Sequence, residues 1–157
     1  MLFRSKLKTI STPGHTLESV SFYVEGNAVF TGDTLFTNGV GRPDLKSSEE
    51  ETHKKAVLLY ESLTKLILLP NNIVILPAHT NKPVEFDGAM ISSTVGEVKK
   101  SLPLLNSSVE SFTEFLLQHI PPTPPNYLAI VEKNLRGDFS DVNPVDLEAG
   151  ANHCAIS

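Results

Sequence analysis

Two histidines and one aspartate in this sequence are side chains that could hold a metal ion. His15 lies in the segment Thr-Pro-Gly-His-Thr, Asp33 in Thr-Gly-Asp-Thr, and His79 in Leu-Pro-Ala-His-Thr. Two imidazoles and a carboxylate suit a borderline divalent ion such as zinc or iron(II), whereas calcium or magnesium would require more oxygen ligands. The three residues are far apart in sequence, so only the fold can bring them to one metal ion.

Each of these residues also has an ordinary structural interpretation. His15 follows Pro-Gly and Asp33 follows Gly, and such dipeptides are typical of turns for backbone reasons alone. His79 fits a hydrogen-bonded histidine of the core. Taken singly, each residue favours the structural interpretation, and it is the conjunction of three similar segments that indicates a metal site.

The elements that must position these residues follow from the hydrophobic pattern. Alternating apolar residues over 20–24, a turn at Gly26-Asn27 and a returning apolar run from Ala28 predict a β-hairpin. Apolar residues at helical spacing from Glu49 to Pro70 predict a long helix. The apolar run 73–76 predicts a central, covered strand, so His79 is expected in the loop that leaves a buried strand.

Two or three further helices are predicted after the 73–76 strand. One should start at Ser107, with Glu110 completing a capping box. Another should run from Tyr127 to Gly137. Between them, the Pro-rich stretch 121–125 is expected to be an extended connector within one domain. The order of strands, helix, strand and helices predicts an α/β fold.

Composition limits the class of protein and its partners. A chain of 157 residues, 40% of them hydrophobic, can form one domain with its own core. The net charge of -5 argues against a nucleic-acid partner. The charged residues within 1–6 do not fit a secretory leader, and no apolar run reaches bilayer length. Cys154 is the one cysteine, so we expect a free thiol and a cytoplasmic protein.

Four segments of the sequence resemble the metallo-β-lactamase superfamily, in particular its thiol-ester hydrolase (glyoxalase II) and persulfide dioxygenase branches. Residues 12–16 are similar to a segment whose histidine binds metal, and residues 29–36, Val-Phe-Thr-Gly-Asp-Thr-Leu-Phe, to one whose aspartate binds or bridges metal. Gly-Arg-Pro-Asp-Leu at 41–45 matches the segment that follows, and Pro-Ala-His at 77–79 resembles the segment of the last histidine. The resemblance implies His15, Asp33 and His79 as metal ligands.

The sequence departs from the superfamily at one motif. The signature H-x-H-x-D-H, which supplies three further ligands N-terminal to the Thr-Pro-Gly-His-Thr segment, is absent from it. We therefore expect residues 1–157 to form a single domain that corresponds to the C-terminal half of an αββα sandwich, with a mixed sheet and helices on one side. The ligand set would then be incomplete.

The resemblance implies metal-dependent chemistry on a glutathione-type thiol derivative, and the tail after the Pro-rich stretch favours the persulfide dioxygenase branch. In that branch, iron(II) would be held by His15, Asp33 and a histidine not present here, and His79 would lie outside the ligand set. In the alternative, a hydroxyacylglutathione hydrolase, one or two zinc ions would use His15, His79 and a bridging Asp33.

A third hypothesis is that the chain is catalytically inactive, either a truncated fragment or one subunit of a split assembly. The uncovered sheet face and unpaired edge left by the missing half would favour a homodimer or a partner chain that supplies it. Whether the chain is an enzyme by itself stays open.

Arg42 and Asp44 stand two residues apart in the Gly-rich loop after Asp33. Arg42 is a candidate to bind a carboxylate of the thiol substrate, because its guanidinium pairs with carboxylates in a fork geometry. The alternative is a structural ion pair between Arg42 and Asp44 beneath the metal site.

Overall fold

The computed structural model describes residues 5–80, 84, 87–123, 125–143 and 155–156. The chain divides into two compact units, one of Met1–Ile120 with Cys154–Ser157 and the other of Pro121–His153. The Pro-rich stretch thus begins the second unit. A single domain over the whole chain stays a prediction, and Cys154 lies outside the described residues.

The described part of the chain has four strands, a long helix, two strands, four further helices and a last short strand, in that order. The strands are β1 (Leu7–Ser11), β2 (Val20–Val24), β3 (Ala28–Gly32), β4 (Val40–Gly41), β5 (Val74–Pro77), β6 (Ser93–Thr94) and β7 (Ala155–Ile156). The helices are α1 (Glu49–Ile67), α2 (Val95–Ser101), a short 3-10 helix (Pro103–Asn106), α3 (Val109–Gln118) and α4 (Tyr127–Arg136). The predicted α/β class is confirmed.

The five-stranded sheet of the first unit has the order β1-β2-β3-β5-β6. β1, β2 and β3 pair antiparallel, whereas β3 and β5 are parallel neighbours. A parallel pair needs a crossover connection, and α1 supplies it. The predicted hairpin is confirmed, with Gly26 at a φ of 77° in its turn, a conformation that glycine adopts without steric cost.

One face of this sheet is covered by helices. Val29 and Ile75 on that face are each at most 1% exposed, and they belong to one hydrophobic core with residues of α1, α2 and α3. Leu59 and Leu63 of α1 and Phe112 of α3 are among the fully buried side chains.

The other face of the same sheet is apolar and open among the described residues. Phe22 and Phe30 are cross-strand partners and are 42% and 46% exposed. Further residues paired in register with them, or two positions along a strand from them, share this face. They are Leu7, Val20, Val24, Ala28, Val74 and Leu76. The predicted mixed sheet with helices on one side is therefore present.

Helix termini are fixed by side-chain caps. Ser48 and Glu51 form a capping box at the start of α1, and Thr94 and Glu97 form another at α2. The box predicted from Ser107 and Glu110 is wrong, because Ser108 is the N-cap of α3 and its side chain accepts a hydrogen bond from the Ser111 amide. The two adjacent serines are equally good caps in sequence, but the amide and hydroxyl of Ser107 both donate to the Leu104 carbonyl at the end of the 3-10 helix.

The second unit contains α4, whose predicted bounds are confirmed. Gly137 caps its C-terminus in the left-handed conformation at φ 66°, and Lys133 pairs with Asp141. In the part of the chain that the structure describes, no helix is both long and apolar enough to cross a bilayer.

Candidate metal site

The three predicted metal ligands meet at one edge of the five-stranded sheet. Asp33 directly follows β3, and His79 follows β5 after one intervening residue. Because β3 and β5 are parallel, their C-terminal ends lie at the same edge. His79 Nδ1 lies 2.5 Å from Asp33 Oδ1. His15, in the loop between β1 and β2, places Nε2 3.8 Å from Asp33 Oδ2.

The loop that carries His15 is held against α1. Gly14 has a φ of 145°, and a Cβ at this position would lie 2.5 Å from Leu59 Cα. The Ser62 hydroxyl donates to the Pro13 carbonyl at 2.7 Å. A glycine is therefore required before His15, and the contacts with α1 fix the position of the loop that carries the histidine.

A second glycine allows His15 and Asp33 to approach each other. A Cβ on Gly41 would lie 1.9 Å from the Asp33 carbonyl oxygen and 3.2 Å from His15 Cβ. Any side chain here would push the two loops apart. The Gly-rich loop after Asp33 thus has a steric reason for its composition.

Buried hydroxyls join the same two loops. Thr12 Oγ1 and Ser21 Oγ are 3.1 Å apart, and Thr34 Oγ1 donates to the Thr12 carbonyl at 3.4 Å. All three residues are at most 1% exposed. Sequence reasoning missed this network, although the threonines beside both candidate ligands were the available signal.

The tautomer of His15 is fixed by its surroundings. Its Nδ1 lies 2.8 Å from the Arg42 carbonyl oxygen, which can only accept, so Nδ1 carries the proton. In the neutral imidazole, Nε2 then keeps its lone pair and faces Asp33. Metal-bound histidines generally show this arrangement, with the second ring nitrogen donating to a carbonyl or carboxylate.

Asp33 lies between two imidazoles. A carboxylate accepts hydrogen bonds, so His79 Nδ1 donates to Oδ1, while Oδ2 faces His15 Nε2. The Asp33 side chain is 24% exposed and that of His79 43%. The aspartate is thus accessible from solvent and held in orientation by His79.

These donors fit part of a metal site. Two ligand bonds of about 2.1 Å each can span the 3.8 Å between His15 Nε2 and Asp33 Oδ2. Among the described residues, no group of three or more His, Cys, Asp or Glu side chains is arranged to hold a metal ion. His79 is instead hydrogen-bonded to Asp33 through Nδ1. The proposal that His15, Asp33 and His79 all bind metal stays a prediction.

Arg42 lies beneath the site. Its side chain is fully buried, and its Nε and Nη2 donate to the two carboxylate oxygens of Asp44 at 2.8 and 2.7 Å. This is the arrangement that the ion-pair alternative describes. A role for Arg42 in substrate binding stays a prediction. In the structure, the Arg42 side chain pairs with Asp44 and its carbonyl orients His15.

Residues 1–79 match the family model described as the metallo-beta-lactamase superfamily. The match spans half of the chain. This chain belongs to the metallo-β-lactamase superfamily. The resemblance noted in its four segments is thereby confirmed.

Curated relatives within the superfamily include two kinds of enzyme. The mitochondrial persulfide dioxygenase ETHE1 of Bos taurus is 34% identical over 135 residues, which is 85% of this chain and 48% of the relative. The hydroxyacylglutathione hydrolase GloC of Haemophilus influenzae is 35% identical over 96 residues, 60% of this chain and 38% of the relative. The chain spans about half, or less, of the length of these curated relatives.

Solved structures of superfamily members have the same fold as this chain. A metallo-beta-lactamase from Staphylococcus aureus superposes with a TM-score of 0.70 at 29% identity, over 85% of this chain and 41% of that one. ETHE1 from Myxococcus xanthus superposes with a TM-score of 0.66 at 29% identity, over 85% and 55%. The predicted metallo-β-lactamase fold is confirmed.

Proposed function

We propose that this chain contributes His15 and Asp33 to a metal centre that acts on a glutathione-type thiol derivative, with persulfide dioxygenase chemistry as the first candidate. The observation that carries the proposal is the fixed tautomer of His15, whose Nε2 lone pair faces Asp33 Oδ2. One histidine and one carboxylate are two of the three protein ligands of a facial iron(II) triad.

The extent of the similarity supports the dioxygenase candidate. The match to bovine ETHE1 covers 85% of this chain, whereas the match to the GloC hydrolase covers 60%. When bound, iron(II) would supply the one-electron chemistry that a reaction with dioxygen requires. The third ligand would come from outside the described residues, on another segment or on a partner chain.

The chain's own residues have separate tasks in this proposal. The Arg42 carbonyl holds the His15 ring in orientation through Nδ1. His79 donates to Asp33 Oδ1, which fixes the carboxylate and leaves Oδ2 for the ion. Such an outer partner typically changes metal affinity by about 10- to 100-fold.

Hydroxyacylglutathione hydrolase chemistry is the second candidate, and one observation favours it. Each oxygen of Asp33 faces an imidazole nitrogen, as a carboxylate between two metal ions would require. In this candidate, His15, Asp33 and His79 would together hold the zinc. Zinc would then supply the activated water that attacks the thiol ester.

Metal binding by the full chain tests the proposal directly. We expect anaerobic titration with iron(II) or zinc to show a site that is lost in Asp33→Ala and weakened in His15→Ala. His119→Ala is the matched control and should bind metal like the wild type, because His119 Nδ1 is bonded to the Phe115 carbonyl at the end of its own helix. Equal binding by the wild type and a His15→Ala/Asp33→Ala double variant would overturn the proposal.

His79→Ala separates the two candidates. The dioxygenase candidate predicts an unchanged stoichiometry of one ion per chain with affinity reduced by about 10-fold. The hydrolase candidate predicts that the zinc stoichiometry drops from two to one. Oxygen consumption with glutathione persulfide and thiol release from S-lactoylglutathione, each against His15→Ala, then assign the activity.

A further inference from the structure

The first unit contains a cavity whose lining segments adjoin the candidate metal site in sequence. It has a volume of about 310 Å³ and is lined by residues 16–18, residues 45–47 and the N-terminal part of α1. The first of these segments directly follows His15, and the second directly follows Asp44. One wall of the cavity therefore belongs to the loop that carries His15, and another continues from the loop of Arg42 and Asp44.

Lys55 of α1 lines this cavity and is a buried cation. Its side chain is 7% exposed, and its Nζ donates only to neutral oxygens, the Ser47 hydroxyl at 3.1 Å and the Leu45 carbonyl at 3.4 Å. Among the described residues, no carboxylate lies within the 4.0 Å of Nζ that defines an ion pair. Buried charges are ordinarily paired, whereas Lys55 has no ion-pair partner in the part of the chain that the structure describes.

The electrostatics of Lys55 agree with that geometry. Burial lowers the pKa of its ammonium group, because desolvation disfavours the charged form. Asp44, Glu18 and Glu51 oppose this effect from a distance and offset it only in part. An anion in the cavity would stabilise the charged form directly.

Two further lysines line the cavity. Lys46 is the one non-glycine residue with positive φ among those described, at 54°, and it is exposed without an ion pair to any of them. Backbone strain of this kind is concentrated at binding sites and turns. Lys54 already pairs with Glu50 at 2.7 Å.

Neither of the two carboxylates in the cavity wall forms an ion pair with Lys55. Glu51 is turned toward the helix cap, where Oε2 accepts hydrogen bonds from the Ser48 amide and hydroxyl at 2.8 and 3.0 Å. Glu18 is exposed at the rim. Because Lys54 is paired with Glu50, Lys46 and Lys55 are the two lysines of the wall that have no ion pair with a described carboxylate.

We infer that this cavity binds the carboxylate group of a small organic anion through Lys55, with Lys46 at its rim. The cavity as a carboxylate site stands on its own geometry. Its assignment to a carboxylate of a glutathione-type substrate rests on the proposed function, since the substrate's sulfur would then lie toward His15 and Asp33.

Binding to the full chain without added metal tests the inference. S-Methylglutathione, which has no free thiol, its dimethyl ester and succinate are titrated by calorimetry. We expect S-methylglutathione and succinate to bind and the ester, which lacks both carboxylates, to bind at least about 10-fold more weakly, as the loss of a charged hydrogen bond implies. Equal binding of acid and ester would overturn the inference.

Two lysine variants locate the site. Lys55→Met keeps the apolar stem and removes the charge, so we expect about a 10-fold loss of affinity or more. Lys99→Met, on α2, should leave affinity unchanged. Unchanged binding in folded Lys55→Met would overturn the inference. A measurement on the wild type tests the same point without a substitution. Succinate should protect the Lys55 amine from chemical acetylation, and mass spectrometry detects the extent of acetylation.

Glu18→Gln gives a change in the opposite direction. Removal of the unoccupied carboxylate at the rim should tighten succinate binding several-fold, and weaker binding would contradict the inference. If S-methylglutathione binds but no turnover follows with metal, the carboxylate site stands and the proposed function fails. If succinate binds and S-methylglutathione does not, the glutathione assignment is wrong.

Discussion

The two faces of the five-stranded sheet have similar side chains and opposite surroundings. On one face, Val29 and Ile75 are packed against helices and at most 1% exposed. On the other, Phe22 and Phe30 are more than two-fifths exposed, at 42% and 46%. The amino-acid type alone therefore does not decide burial. What decides it here is which face the crossover helix α1 packs against.

The contrast also separates the parts of the molecule that fix the site from those that do not. The buried hydroxyls and the α1 contacts that hold the His15 loop all belong to the covered side. The open face presents apolar area suited to a further layer of protein. The following predictions test this contrast, from the largest expected effect to the smallest.

Neighbouring residues of β5 provide the largest expected contrast. Ile75→Ala removes a core side chain on the covered face, so we expect a loss of about 2–5 kcal/mol in the free energy of unfolding. Leu76→Ala, which points to the open face, should cost less than half as much. Urea denaturation of both variants measures the difference, and equal losses would show that the two faces are packed alike.

Serines on the two faces give the next contrast. Ser21→Ala removes one of the two hydroxyl partners of the buried Thr12 hydroxyl, and we expect a cost of about 0.5–1.5 kcal/mol for the lost hydrogen bond. Ser11→Ala, on the open face of β1, should change stability by less than about 0.5 kcal/mol. Thermal unfolding compares them, and a neutral Ser21→Ala would mean that the hydroxyl network does not stabilise the loops.

Phe30→Thr tests the open face itself. Threonine keeps strand propensity, so stability should change by less than about 1 kcal/mol. The binding of a hydrophobic dye and any self-association should decrease, because exposed aromatic area is removed. Dye fluorescence and sedimentation velocity are the measurements. A large loss of stability would indicate that Phe30 is covered in solution.

Acid should weaken the helices of the covered side by a small amount. Hydrogen bonds from the Ser48 and Thr94 amides lower the pKa of Glu51 and Glu97 below 4.5. A lowered pKa contributes stability above the unfolded value, and this contribution is lost as the pH falls through the folded value. We expect the unfolding temperature to fall below pH 4.5.

Glutamine can still close a capping box but does not titrate. Glu51→Gln/Glu97→Gln should therefore reduce the decrease in unfolding temperature with acid, whereas Glu61→Gln in the same helix should not. The same acid dependence in all three proteins would exclude the caps as its source.

Local patterns were enough to predict the hairpin, α1, β5 and α4, because periodicity and turn chemistry act over a few residues. The start of α3 was off by one residue, since Ser107 and Ser108 offer the same cap chemistry and only the contact of Ser107 with the preceding 3-10 helix distinguishes them. The candidate ligands were predicted from motifs rather than from local structure.

Contacts made at long range were beyond sequence reasoning. The Arg42 carbonyl orients His15. Every residue has such a backbone oxygen, so the residue type at position 42 does not predict this hydrogen bond. Lys55 resembles any helical lysine in sequence, and its burial follows from the loop folded over it. The uncovered sheet face was expected only because one motif was absent.

The parallel pairing of β3 and β5 has a kinetic consequence. Asp33 and His79 are 46 residues apart in the chain, and they meet only when α1 has crossed over and β5 has joined the sheet. Local hairpins form early and distant pairings late. An intermediate that contains only the hairpin would have Asp33 in place but no His79 beside it. The Asp33–His79 contact can therefore form only after β5 has paired with β3.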